Sequence, residues 1–171
     1  PSQFERALAC PLRWFLTTIG ADGPSNAAAS LGTLIHAVAE EHPHGTPEEL
    51  TEALEARIEE LGYNLDTWAG RVADRHARDI VNNLASYLEG IPGPVEVEQT
   101  VSAQVEGVTI RGRMDRLEHV DEGVRVTDLK TGKSGYSAKT VPDNPQLAAY
   151  QMALLASGER VAGARIALLG D

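Results

Sequence analysis

Apolar residues in the first ninety positions recur every three to four residues, which is the period of an amphipathic helix. One such apolar set is Leu31, Leu34, Ile35 and Val38. A further helix is predicted to begin at Thr46-Pro47-Glu48-Glu49, because threonine, proline and glutamate in this order form a typical helix start. It can end at Gly62, and a longer helix can follow, capped by Asp66 and closing at Gly90. The pattern therefore predicts a helical lobe over residues 1–90.

After a segment rich in glycine and proline, polar and apolar residues alternate with the period of two that is typical of β-strands. The predicted elements are strands at 95–105, 108–119 and 124–130, a glycine- and serine-rich loop at 131–137, a helix at 144–156 and a strand at 164–169. The predicted fold class is α/β, with a small mixed sheet flanked by helices. We expect one domain over 1–171, in which the helical lobe (1–90) precedes the sheet and helix (91–171).

The third predicted strand carries charges where its alternation predicts buried residues. Val124 and Val126 face the core, and Asp128 and Lys130 share their parity and therefore their face. A charge at a buried position is costly unless it is paired or bound to a metal ion. Two interpretations follow: Asp128 and Lys130 form an ion pair at the strand end, or both belong to a functional site.

The register of the preceding hairpin brings a second carboxylate to the same place. If four residues form the turn, Leu117 lies opposite Val126 and Asp115 lies opposite Asp128. Opposed side chains have Cβ atoms about 5 Å apart, and two carboxylates at that distance repel unless a cation lies between them. Carboxylates with few neighbours suit Mg²⁺ or Mn²⁺, and Lys130 can then stabilise charge on a phosphoryl group. The three charged residues together favour a metal site over an ion pair.

Four short motifs resemble those of the PD-(D/E)xK nuclease superfamily and occur in the same order. They are Gly32-Thr33-Leu34-Ile35-His36, Gly112-Arg113-Met114-Asp115-Arg116, Val126-Thr127-Asp128-Leu129-Lys130-Thr131-Gly132 and Gln146-Leu147-Ala148-Ala149-Tyr150. The match is to the RecB-like branch: the nuclease domains of RecB, AddB and AdnB helicase-nucleases and related CRISPR-associated exonucleases. Met114 stands where the superfamily name has proline, which that branch tolerates. The resemblance implies a restriction-endonuclease-like core that cleaves DNA with a metal ion.

The resemblance also assigns roles to individual residues. It implies four metal ligands, which are the carboxylates of Asp115 and Asp128, the carbonyl of Leu129 and the imidazole of His36. It implies a catalytic lysine, Lys130, and a helix motif near the site and the DNA strand, Gln146 and Tyr150. Without the resemblance, His36 is better interpreted as an ordinary polar helix residue, and Gln146 and Tyr150 as a helix surface with one half-buried tyrosine.

Glu98 points with Glu96 to the polar face of the first predicted strand. Two roles are open to it: an outer metal ligand or a solvated surface charge. A solvated charge is the more common state of a glutamate on a polar strand face. The alternation therefore favours the surface interpretation.

Cys10 is the single cysteine of the sequence. In AddB-like and AdnB-like members, a cysteine at such a place is the first ligand of an iron–sulfur cluster whose other three ligands follow the last strand. One cysteine cannot hold a cluster. Cys10 is therefore expected to be a cluster ligand only if the parent chain is longer, with three cysteines soon after Asp171, and otherwise a small buried residue.

The net charge of −10 at pH 7 excludes a surface that is basic all round, and with it a simple DNA-coating protein. No apolar run approaches the roughly 20 residues that span a bilayer, and no signal segment follows Pro1. A single cysteine cannot form an internal disulfide, which fits a reducing compartment, so a cytoplasmic location is expected. The expected function is a metal-dependent exonuclease for DNA ends or single strands in recombination and repair, with a helicase domain or subunit as partner. The alternatives are a nuclease fold that binds DNA without cutting it, and a structural module of a helicase-nuclease complex.

Overall fold

The computed structural model of the chain describes residues 2–19, 27–58, 64–91, 93–132 and 141–170. Helices within these ranges are α1 (Ser2–Ala9), α2 (Pro11–Thr18), α3 (Ala27–Glu41), α4 (Pro47–Ile58), α5 (Trp68–Glu89) and α6 (Pro145–Ala156). Strands are β1 (Val95–Val105), β2 (Val108–Val120), β3 (Gly123–Lys130) and β4 (Val161–Leu168). The predicted helix end at Gly62 and residues 133–137 of the predicted loop lie outside the described residues.

Side-chain caps fix where the helices begin. Thr46 and Glu49 form the predicted reciprocal capping box of α4, in which Thr46 N donates to Glu49 Oε2 at 2.9 Å and Glu49 N donates to Thr46 Oγ1 at 3.2 Å. The predicted cap of α5 is wrong by one residue, because Thr67 Oγ1, and not the carboxylate of Asp66, accepts from Gly70 N at 3.0 Å. Asp66 instead belongs to the preceding turn, where its backbone N–H donates to the side chain of Asn64.

The chain forms two compact units, each assembled from segments that are distant in sequence. Unit 1 contains the described residues of 2–19, 98–128 and 141–165, and unit 2 contains those of 27–58, 64–91, 93–97, 129–132 and 166–170. Helices α1, α2 and α6 therefore belong to unit 1, whereas α3, α4 and α5 belong to unit 2.

The strands form one sheet in the order β1-β2-β3-β4. β2 and β3 are antiparallel, with Leu117 opposite Val126, and this confirms the predicted register. The pairing runs on to Val120 opposite Gly123, so the turn itself is two residues long and the outer pair of the predicted four-residue loop belongs to the strands.

β4 runs parallel to β3. Val124 N donates to Arg160 O at 2.7 Å, and Leu169 N donates to Lys130 O at 2.8 Å, so the partner numbers rise together along both strands. α6 supplies the crossover that a parallel connection requires. A sheet with antiparallel and parallel pairs is mixed, and with its helices it confirms the predicted α/β class.

Each unit has its own apolar core. In unit 1 the buried members are Val101, Ile110, Met114, Leu117, Val124, Val126, Ala149, Tyr150, Ala153 and Leu154. In unit 2 the core includes the four predicted α3 residues Leu31, Leu34, Ile35 and Val38, together with Leu129 after the unit boundary in β3. Each large apolar side chain in these cores stabilises the fold by about 1.5–3 kcal/mol relative to its exposure to water.

Unit 1 also buries a charged network that strand alternation places on the face opposite Leu117 and Val126. Glu118 is its centre: Thr127 Oγ1 donates to Glu118 Oε1 at 3.0 Å, and Arg165 Nη2 lies 2.7 Å from Glu118 Oε2. Arg116 Nε lies 3.8 Å from Glu118 Oε1. Arg116, Glu118 and Thr127 are all fully buried. The sequence pattern does not predict this burial, because each residue alone is typical of a solvated strand face.

Cys10 separates α1 from α2 and is exposed. The expectation that it is a small buried residue is therefore wrong, because its position as the N-cap residue of α2 leaves the thiol at the surface. Of the helices in the described ranges, none combines the length and apolar character that crossing a bilayer requires.

Candidate active site

The site is best described from Asp128, which lies in β3 and is 4% exposed. Gln146 Nε2 donates to Asp128 Oδ1 at 2.8 Å. Gln146 occupies the first turn of α6, and that turn is fixed by Asn144, whose side chain accepts from Leu147 N at 2.9 Å. The helix cap therefore sets the position from which Gln146 reaches the carboxylate.

Tyr150 lies one turn after Gln146 on the same face of α6 and is 3% exposed. Gln146 Nε2 lies 3.3 Å from the Tyr150 hydroxyl, which accepts from it, and the hydroxyl donates to the backbone carbonyl of Arg113 in β2. Gln146 is 6% exposed, so the interpretation of this pair as a helix surface is wrong. The residues next to Gln146 and Tyr150 in α6 are largely apolar, and the face of α6 that carries Gln146 and Tyr150 is buried.

Two more carboxylates belong to the same part of unit 1. Carboxylate oxygens of Asp115 and Glu98 lie within 4.8 Å of each other, and both residues are half-buried. Glu98 forms an ion pair with Arg113, and its side chain is 14% exposed. The interpretation of Glu98 as a solvated charge on a regular strand face is therefore wrong. Its backbone has a φ of +52°, which interrupts the pleat of β1 and so breaks the alternation from which that interpretation follows.

The pKa of Tyr150 is affected by all of these groups. Burial raises it most, the hydrogen bond from Gln146 lowers it, and the negative charges of Asp115, Asp128 and Glu98 raise it as well, so that together they bring the pKa of Tyr150 to about 12. Three carboxylates therefore act on one hydroxyl from the same region. The hydroxyl stays protonated, and able to donate to the Arg113 carbonyl, throughout the physiological pH range.

Ultraviolet titration is expected to detect this tyrosine separately from the others. In metal-free buffer, Tyr150 should ionise near pH 12, about two units above an exposed tyrosine. Because the pKa is raised by folding, the associated stability is present below pH 10 and is lost as the pH rises from about 10 to about 12. The difference in absorbance at 295 nm between the wild type and Tyr150→Phe measures it. An extra ionisation near pH 10 in the wild type would show that Tyr150 is not shielded.

The remaining predicted site residues belong to unit 2. His36 is half-buried on α3, one turn after Gly32. A Cβ on Gly32 would lie 3.1 Å from Thr131 Oγ1, so the glycine lets α3 approach the chain directly after β3. Leu129 is buried in the unit 2 core, and Lys130 is half-buried and follows Asp128 at the same strand parity. The predicted roles of these three residues stay predictions.

The donor atoms fit a hard divalent cation. Carboxylate oxygens of Asp115 and Glu98 lie within 4.8 Å of each other, and Asp128 follows in the register of β2 and β3. Gln146, which donates to Asp128, has an amide oxygen, Oε1, without a hydrogen-bond partner among the described residues. Mg²⁺ and Mn²⁺ prefer oxygen ligands of these types. The residues of unit 1 could therefore hold such an ion.

Comparison with known families gives a match over nearly the whole chain. The family model of the PD-(D/E)XK nuclease superfamily matches residues 1–170, which covers both units and every motif considered above. No curated protein matches the chain.

Proposed function

The chain belongs to the PD-(D/E)XK nuclease superfamily, and on this premise we propose that it is a deoxyribonuclease that uses Mg²⁺ or Mn²⁺ to hydrolyse phosphodiester bonds. The observation that supports the proposal most is the 2.8 Å contact from Gln146 Nε2 to Asp128 Oδ1. It joins two motifs that are separated by 18 positions in the sequence. A buried carboxylate needs such a partner for stability alone, so the support comes from both partners standing in motifs of the superfamily whose model covers residues 1–170.

Asp115 and Asp128 are the residues that would hold the ion. When bound, a divalent cation polarises a phosphoryl oxygen and activates water at neutral pH. Gln146 fixes the orientation of the Asp128 carboxylate, and Tyr150 fixes Gln146 against β2. The ammonium of Lys130 offsets negative charge on the phosphoryl group as that charge develops.

The His36 imidazole and the Leu129 carbonyl complete the proposed ligand set. Both assignments follow from the motif in which each residue stands, in a chain whose superfamily membership extends over these positions. An iron–sulfur cluster at Cys10 is proposed only for a parent chain that supplies further cysteines.

The proposed substrate is a DNA end or a single strand, cut exonucleolytically during recombination and repair in the cytoplasm. A net charge of −10 gives the chain little general attraction for DNA. Delivery of the strand by a helicase domain or subunit would remove the need for such attraction, and this supports a helicase as the partner.

Cleavage of labelled linear DNA tests the proposal. The wild type, assayed with any partner subunits present, is expected to cut in Mg²⁺ or Mn²⁺ and to stop when the metal is chelated. Lys130→Ala should lower the rate by roughly 10²–10³-fold, the loss typical of removing one group that stabilises transition-state charge. Lys133→Ala is the matched control, because it removes a lysine three positions away in the sequence.

Three results would contradict parts of the proposal. Absent cutting by the wild type would exclude the nuclease function, and DNA binding without cutting would favour the non-cleaving alternative. Cutting that continues after chelation would exclude the proposed metal dependence. Cutting that survives Lys130→Ala would leave the nuclease function in place and exclude the role proposed for the lysine.

A further inference from the structure

Glu98 occupies a backbone conformation that its residue type disfavours. Its φ of +52° lies in the left-handed region, where a side chain with a Cβ is strained and glycine is not. Strain of this kind persists only where the surroundings impose it, and it concentrates at functional sites. Apart from Glu98, positive φ values at non-glycine residues of the described chain occur only at Glu106, in the turn between β1 and β2. Glu98 is strained within a strand, where no turn explains it.

The strained backbone at Glu98 accompanies a change in the direction of its carboxylate. Regular alternation would direct this side chain to the same face as that of the exposed Glu96. Instead, an oxygen of Glu98 lies within 4.8 Å of an oxygen of Asp115, a separation that one cation can bridge. Two carboxylates at this distance repel each other unless positive charge compensates them.

Arg113 holds the Glu98 carboxylate from the other side. Its Nε pairs with Glu98 Oε2, while its backbone carbonyl accepts from the hydroxyl of Tyr150. The contact engages one oxygen of the Glu98 carboxylate, and a monodentate metal ligand needs only the other. Arg113 therefore orients the Glu98 carboxylate through one oxygen, and the other oxygen is the one that a metal ion would use.

A second, independent feature points to a ligand beside Asp128 and Tyr150, whose hydroxyl donates to the carbonyl of Arg113. Gln146 is 94% buried, its nitrogen is held by Asp128 and Tyr150, and its Oε1 has no hydrogen-bond partner among the described residues. A buried amide oxygen without a partner costs free energy unless a ligand or water satisfies it. From these two features we propose that Glu98 is a further metal ligand, which binds the same divalent cation as Asp115. This inference rests on the proposed metal-dependent nuclease function.

Direct measurement of Mn²⁺ binding tests the proposal without relying on activity. We expect Glu98→Gln to weaken Mn²⁺ binding by about tenfold or more in calorimetry or in electron paramagnetic resonance of the free ion, a loss typical of altered metal sites. Asp115→Asn should weaken it at least as much. Glu96→Gln is the matched control, since it removes an exposed glutamate two positions earlier on β1 and should leave the affinity unchanged.

Glu98→Gly separates loss of the ligand from loss of the fold. Glycine adopts the positive φ without strain, so this variant should melt at or above the temperature of the wild type and still bind Mn²⁺ about tenfold more weakly. Wild-type affinity in both folded Glu98 variants would overturn the proposal. If DNA cutting by the wild type accompanies that result, the nuclease function survives. If Mn²⁺ binding depends on Glu98 but no DNA is cut, the metal site stands and the nuclease function fails.

Discussion

Asp128→Asn is expected to lower the rate of metal-dependent DNA cleavage by roughly 10³-fold, because it removes several kcal/mol of charge stabilisation at the metal. Asparagine has nearly the same shape, and its Oδ1 can still accept the hydrogen bond that Gln146 Nε2 donates to Asp128. The substitution also removes a negative charge from a position that is 4% exposed. We therefore expect the melting temperature to stay at or above that of the wild type while cleavage is lost.

Two measurements test this expectation: the single-turnover rate of cleavage of labelled DNA in Mn²⁺ reports activity, and the melting temperature of each variant reports stability. Asp143→Asn is the matched control, since Asp143 is exposed in the turn before α6 and should leave the rate unchanged. A wild-type rate in Asp128→Asn would remove Asp128 from the proposed ligand set. Loss of cleavage with a large fall in melting temperature would instead show that the charge is structural.

The position of Asp128 could be predicted from the sequence because it depends on strand periodicity and hairpin register. Both follow from apolar residues that need to share a face, and a shift of one residue would move all of them to the other face. Leu117 opposite Val126 is the pair that fixes this register. The pairing extends as far as Arg116 opposite Thr127, and the next step in the same register is Asp115 opposite Asp128.

Glu98 and Gln146 could not be placed in the same way. The position of Glu98 depends on a positive φ, which no side-chain pattern encodes at a non-glycine residue. Gln146 and Tyr150 lie on the buried face of α6. Their i, i+4 spacing predicts that they share a face of the helix, but it does not predict whether that face is buried or exposed. The motif order of the superfamily located Gln146 where periodicity alone did not.

Arg116, Glu118 and Thr127 illustrate the same limit on the opposite face of the hairpin. Alternation correctly separates them from Leu117 and Val126, but it cannot show that this second face is also buried. Polar residues are usually exposed, and their burial here depends on the contacts among them. The opposite charges of the network offset the free-energy cost of burying each of them. They can do so only when the fold brings them together, so the sequence pattern does not show it.

Glu118→Gln is expected to lower the free energy of unfolding by about 3 kcal/mol. Removing one partner of a buried ion pair typically costs roughly 3–5 kcal/mol, because the remaining charge loses its compensation in a medium of low polarity. Glu118 is the anion next to both Arg116 and Arg165, and Arg116 is fully buried. The lower end of the range applies because the Arg165 side chain is 34% exposed and water screens part of its charge.

Urea unfolding of Glu118→Gln measures the effect, with Glu122→Gln as the matched control because Glu122 is exposed in the turn of the same hairpin. A double variant, Arg116→Met with Glu118→Leu, should lose less than the single charge removal, since replacing a whole buried pair by apolar residues is often close to neutral. A loss in Glu118→Gln no larger than that in Glu122→Gln would show that the network stabilises little. Retained metal-dependent cleavage in the folded fraction of Glu118→Gln would show that the network stabilises the fold and takes no part in the chemistry.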